Sequence, residues 1–160
     1  MVRLLIALLA LAAATPATAA ERAFLAIETA DIAAAEKWYS AAFALKRINR
    51  FDRPRFDQRV LAGPDLVVEL VQMRPATAKP ATAVLGIVKA GVQIADFDRR
   101  LAAWRAAGIA PPKGLHFDRA LGLASVQLTD PDGNLIQVFG TSAGPFDGTV
   151  EVDPAVTKAD

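Results

Sequence analysis

"LTDPDGNLIQVFG", residues 128–140, is the stretch that decides how this chain is read. Asp130-Pro131-Asp132-Gly133 is a tight turn. Pro131 presets φ for a type I turn, and Gly133 can take the left-handed conformation that closes it. The residues that follow alternate with a period of two, so Ile136 and Val138 share one face of a strand and Leu135, Gln137 and Phe139 the other. One face is fit for a core. The other carries Gln137, a polar residue aimed away from it, and that residue needs an explanation.

The unit that ends in this strand occurs twice. "FLAIETADIAAAEKWYSAAFAL" begins at Phe24, and "KAGVQIADFDRRLAAWRAAGIA" begins at Lys89. Each opens with a short alternating strand, reaches Ala-Asp, and continues as an Ala-rich amphipathic helix with aromatics late in it (Trp38 and Tyr39, then Trp104). Asp31 and Asp96 stand 65 positions apart, each where an N-cap carboxylate accepts the free backbone N–H groups of a first turn. Gly108 falls just past the second helix, the usual place for a C-terminal glycine. Three strands are expected after each helix, at about 45–52, 56–62 and 65–73 and at about 113–118, 122–129 and 134–140. Each copy thus reads βαβββ. Residues 74–82, "RPATAKPAT", form the connector between modules at about 22–73 and 84–140, and 141–160 is expected to be an extended or loosely docked tail. Trp38, Tyr39 and Trp104 have the spacing of core residues.

The first twenty residues stand apart. "MVRLLIALLALAAATPATAA" has a basic start, an apolar run too short for a comfortable span, and a small-residue end. That is the layout of a signal peptide cut after Ala19 or Ala20, and it implies a periplasmic or secreted protein with no membrane attachment once trimmed. Without Arg3, the 18 Lys+Arg equal the 17 Asp+Glu in number. A neutral chain has no electrostatic footprint for nucleic acid. The lack of Cys removes disulfides, thiolate metal sites and Cys nucleophiles.

The doubled βαβββ unit, "IETADIAAAEKWYSAAFAL" and "TDPDGNLIQVF" together resemble the vicinal oxygen chelate superfamily, the group of glyoxalases, bleomycin-resistance proteins and extradiol dioxygenases. The resemblance covers residues 22–140. It implies an α+β fold in which two βαβββ modules form an eight-stranded cup with the helices outside and the site on the concave face. Members of this family also often pair as homodimers. Alternation then sorts the strands: Phe24, Glu28, Val67, Glu69, Val71, Met73, Lys89, Gln93, Leu135, Gln137 and Phe139 face the cup, while Leu25, Ile27, Thr29, Leu66, Val68, Leu70, Ala90, Val92, Ile94, Ile136 and Val138 lie under the helices. Ala26 and Gly91 also face inward.

Metal-dependent members place four ligands on these strands, typically His or Gln, Glu, His and Glu. Residue by residue, those places hold Phe24, Glu69, Lys89 and Gln137. One carboxylate and one amide do not hold a catalytic divalent ion, so no metal and no cofactor are expected, and Gln137 is explained as part of a metal-free site. The expected function is binding of a small organic molecule. Two alternatives remain: a metal-independent lyase or isomerase with Glu69 as base and Lys89 as electrophile, or a structural module with a filled cup. In either functional reading Lys89 is expected to lie within about 4 Å of Glu69, because a lone buried carboxylate is costly. His116, the only His, alternates with Leu115 and Phe117 and is assigned no role. "RINRFDRPRFDQR" (47–59) is read as a solvated hairpin rather than an anion site.

Overall fold

A computed structural model of the chain describes residues 22–78, 87–109, 115–118 and 122–144, with the backbone of 150–151. The expected leader and part of the connector (79–82) lie outside the described residues. Among those described, no helix is long and apolar enough to cross a membrane.

The first module runs β1 (Ala23–Glu28), α1 (Ile32–Phe43), β2 (Lys46–Arg53), β3 (Phe56–Ala62) and β4 (Leu66–Met73). The second runs β5 (Ala90–Gln93), α2 (Phe97–Ala106), β6 (His116–Asp118), β7 (Leu123–Thr129) and β8 (Leu135–Thr141). These boundaries follow the sequence expectation closely. Two hydrogen-bonded sheets result, ordered β1-β4-β3-β2 and β5-β8-β7-β6, each with its first strand parallel to its last. Part of the tail is docked on the second sheet. Val150–Glu151 forms β9, which pairs in parallel with β6 and adds a fifth strand to the second sheet.

Both helices start as the sequence requires. The Asp31 carboxylate accepts from the N–H groups of Ala33 and Ala34 at 3.0 Å, and Asp96 accepts from Arg99 at 3.3 Å. Gly108 sits at φ 65°, just past α2. The end of α1 is different, because Ala44 takes the left-handed conformation at φ 53°. Nothing in the composition flags that residue, whose Cβ makes the conformation costly.

Ile32, Ala35, Tyr39, Ala42 and Phe43 of α1 join Phe97, Leu101 and Trp104 of α2 in one core over the helix-facing side of both sheets. Leu66, Val68 and Leu70 are fully buried there, and so are Val92, Ile136 and Val138. Each such side chain contributes about 1.5–3 kcal/mol by leaving water.

The modules are joined by polar bonds at equivalent places. Tyr39 donates its hydroxyl to buried Asp130 in the second module's turn at 2.8 Å, and Trp104 donates Nε1–H to the Ala42 carbonyl at 2.6 Å. The two aromatics are 65 positions apart, the spacing of the two capping aspartates. Asp132 accepts from the Ala30 N–H at 3.0 Å and from the Thr29 hydroxyl. In the first module's turn, Asp65 faces Arg100 of α2 at 3.8 Å. Each turn therefore touches the opposite module.

Burial and the neighbouring Asp130 carboxylate push the Tyr39 phenol well above its usual range, so it stays a donor. Tyr39→Phe is expected to lower stability by about 1–3 kcal/mol, since it leaves a buried carboxylate with one donor fewer. Urea denaturation measures this, with the slope unchanged. A loss under about 0.5 kcal/mol, ordinary for a surface change, would mean the bond contributes little.

Candidate functional site

Each sheet has a face turned away from the helices. Residue parity there is as the sequence reading set it. On β1 and β4, Phe24 pairs with Val67, Ala26 with Glu69 and Glu28 with Val71. On β5 and β8, Gly91 pairs with Gln137 and Gln93 with Phe139. Ala26 opposite Glu69 and Gly91 opposite Gln137 are equivalent pairs of the two modules. Phe24, Glu28, Met73, Lys89, Gln93 and Leu135 are exposed, and Val67, Glu69, Val71, Gln137 and Phe139 are half-buried.

The two modules approach each other beside β1. A cavity of 630 Å³ there is lined by Leu25, Ala26, Ile27 and Glu28 on one side. Residues 87–90 and 133–136 line the other, with Lys89, Asn134 and Leu135 among them. Glu28 also lines a 340 Å³ cavity with Met73, Asp132 and Asn134. Both hollows lie next to the turn that the Asp130 and Asp132 bonds hold in place.

The ion pair expected between Lys89 and Glu69 is not formed, and among the described residues neither has an ion pair or side-chain hydrogen bond. Lys89 precedes the first residue of β5 and is exposed, so its ammonium keeps its water. Glu69 sits mid-strand between Ala26 and Val60. A base and an electrophile acting together are not assembled by these two residues.

Nor do the four equivalent places suit a divalent ion. Phe24 offers no donor atom and Lys89 brings a positive charge, which leaves one carboxylate and one amide against the usual four N/O ligands. Among the described residues no cluster of three His, Cys, Asp or Glu could hold a metal.

Pairing brings in residues that the sequence reading left out. Gln127 lies opposite Gln137, and Thr129 opposite Leu135. Ser125 lies opposite both Phe139 and His116, which puts His116 on the open face. The signal was present in the "DPDG" turn, which fixes the register of the hairpin and so the partner of every residue along it.

Trp38 is half-buried rather than core. It lines a separate cavity of 580 Å³ on the helix side with Lys37, Ala41, Ile109 and Leu128. The Arg-rich stretch is the β2–β3 hairpin, but it is not wholly solvated. Arg59 is mostly buried and pairs with Glu36, with Asp57 at 3.8 Å. Arg47, Arg50 and Arg74 pair with Glu36, Asp57 and Asp52, so acids of this chain already face most of these cations.

Sequence and geometry lead to one family. The model of the glyoxalase/bleomycin resistance protein/dioxygenase superfamily matches residues 22–138, and the chain belongs to that superfamily. Its fold is that of several solved structures. SMU.1112c is 16% identical, with 76% of this chain and 99% of that one covered and a TM-score of 0.59. TioX from Micromonospora sp. ML1 is 19% identical, with 77% and 100% covered and a TM-score of 0.57. The fosfomycin resistance protein FosX from Listeria monocytogenes, solved in complex with Mn(II) and sulfate, is 11% identical, with 79% and 96% covered and a TM-score of 0.52. At these identities the likeness is one of fold. No curated protein sequence matches the chain.

Because Lys89 and Glu69 do not meet, Lys89→Met and Glu69→Gln are expected to change stability independently. The double variant should equal the sum of the singles to within about 0.5 kcal/mol. Chemical denaturation of the three variants checks this, and a coupling above about 1 kcal/mol would restore the pair.

Proposed function

We propose that the protein is an exported binding module that holds a small organic molecule, without a divalent metal, in the hollow between β1 and the second module. The carrying observation is the 630 Å³ cavity at that junction, whose walls come from both modules. Its size is in the range of small-molecule sites, and such sites combine apolar walls with a few polar groups that fix orientation. Leu25, Ala26, Ile27, Leu135 and Ile136 supply the first, and Glu28, Lys89 and Asn134 the second.

The four family ligand places favour binding without a metal, since Phe24 and Lys89 replace two donors. FosX, by its description, holds Mn(II). Among this chain's equivalents only Glu69 is a comparably strong oxygen ligand. The basic, apolar and small-residue succession of the first twenty residues supports export.

Native mass spectrometry of the protein purified from the compartment it is exported to tests the binding reading. A retained small molecule is expected, displaced when the chain unfolds. Elemental analysis showing near one Zn, Ni, Fe or Mn per chain, lost in Glu69→Ala, would overturn the metal-free reading. N-terminal sequencing of the exported protein should begin at Ala20 or Glu21, and a mature chain still starting at Met1 would contradict processing.

A further inference from the structure

Free sheet edges are usually blunted, because their N–H and C=O groups invite another strand. Among the described residues, three of this protein's four sheet edges follow that rule. β2 carries Lys46, Arg47, Arg50 and Arg53 and is bulged between Arg47 and Asn49. β5 has four residues, and β9, which covers β6, has two. β1 is the exception. Its six residues hold no Lys, Arg, Pro or bulge, and among the described strands only β4 pairs with it.

The hydrogen bonds at its ends show which backbone groups are left over. Ala23 donates to the Asp65 carbonyl at 3.3 Å, and Thr29 donates to the Val71 carbonyl at 2.9 Å. Backbone groups of successive strand residues point to opposite edges, so Leu25 and Ile27 also face β4. Phe24, Ala26 and Glu28 then turn N–H and C=O to the other edge, where no described strand pairs with them.

The 630 Å³ cavity runs along that edge. Four consecutive β1 residues, Leu25 to Glu28, line it, although their side chains alternate between the two faces of the sheet. What four residues in a row present to one hollow is their backbone edge. Ile87 and Val88, 93% and 81% exposed, line its other side with Ile136. Leu25 and Ile27 pack against the core but stay half-buried, whereas Leu66, Val68 and Leu70 of β4 are fully buried. No described strand completes the cover of β1.

We propose that the bound molecule is a short extended peptide that adds to β1 as an edge strand, with aliphatic side chains at alternate positions against Leu25, Ile27 and the Ile87–Val88 pair. This rests on the binding reading above and adds the ligand's class and the backbone that holds it. An aliphatic molecule without amides would strip water from the N–H and C=O groups of Ala26 and Glu28 and return no hydrogen bond. A peptide strand replaces that water group for group, and its side chains are read by the walls. The two charges that line the cavity, Glu28 and Lys89, are of opposite sign, so the walls ask for no net charge on the peptide.

Acetyl-Val-Ser-Val-Ser-amide is the probe, and its fully N-methylated form keeps the side chains but loses the donors. Calorimetry on the exported form of the protein should show the first binding and the second weaker by about tenfold or more. Hydrogen exchange reads the edge directly. Without peptide, the amides of Leu25 and Ile27 should exchange slowly and those of Ala26 and Glu28 fast, and saturating peptide should slow the latter two by about tenfold or more. Ala26→Pro removes one open-edge N–H and spares the β4 ladder, a change that edge strands accept. It should weaken the peptide by about tenfold. A thermal melt confirms its folding, and the exchange pattern needs no variant. No binding of the peptide, equal binding of the N-methylated form, or fast Ala26 and Glu28 amides under bound peptide overturns this inference. So does a concentration-dependent dimer that protects the same amides without peptide, since the edge then serves a second copy. If a retained non-peptide molecule shifts the NMR signals of the cavity's lining residues, the binding reading survives any of these results. No retained molecule together with no peptide binding overturns both.

Discussion

The carboxylate of Asp130 is the constraint on which the rest of the molecule depends. It is 4% exposed, and it accepts from the N–H groups of Asp132 and Asn134, the Asn134 side-chain amide and the Tyr39 hydroxyl. A buried charge without partners would be prohibitive, and this one has four. Three of the four donors come from its own turn. They set the shape of that turn and hence the register at which β8 begins beside β7. The fourth comes from α1 of the other module, so the geometry of one hairpin is tied to the placement of a helix about ninety residues earlier in the chain.

That tie positions the site. A slip of one residue in β8 would turn Leu135, Gln137 and Phe139 into the core and bring Ile136 and Val138 out. Asp132 extends the same hold to Thr29 and Ala30, at the end of the strand that carries Phe24, Ala26 and Glu28. The junction cavity is therefore bordered by two segments that share one hydrogen-bonded loop. Arg100 beside Asp65, and Trp104 on the Ala42 carbonyl, give the reciprocal contacts. Partial burial lowers the proton affinity of the Arg100 guanidinium, an effect that the Asp65 carboxylate opposes.

The two modules match on one side and differ on the other. Under the helices both retain Leu, Ile and Val in alternation, because close packing tolerates little change in volume. Away from the helices no such demand applies. There the first module carries valines with Gln58, Glu28 and Glu69, and the second carries glutamines, Ser125 and His116. Equivalent backbone places thus hold different chemistry, as at Glu69 and Gln137.

Sequence alone determined what depends on local rules. Period-two alternation set the face of each strand, Asp31 and Asp96 marked the helix starts, and "DPDG" marked the hairpin, because each of these signals acts between residues a few positions apart. The tertiary structure decided what depends on distant partners. Ala44 takes a left-handed end without a glycine to announce it, and Val150–Glu151 finds the free edge of β6. Arg59 sinks beside Glu36 of α1, with Asp57 of its own strand next to it. Glu69 and Lys89 share a face but do not meet, since the junction between sheets has no ladder to relate them. His116 joins the open face only through Ser125 and Phe139. Parity can say which way a side chain points, but only the packing of distant segments says what stands opposite it.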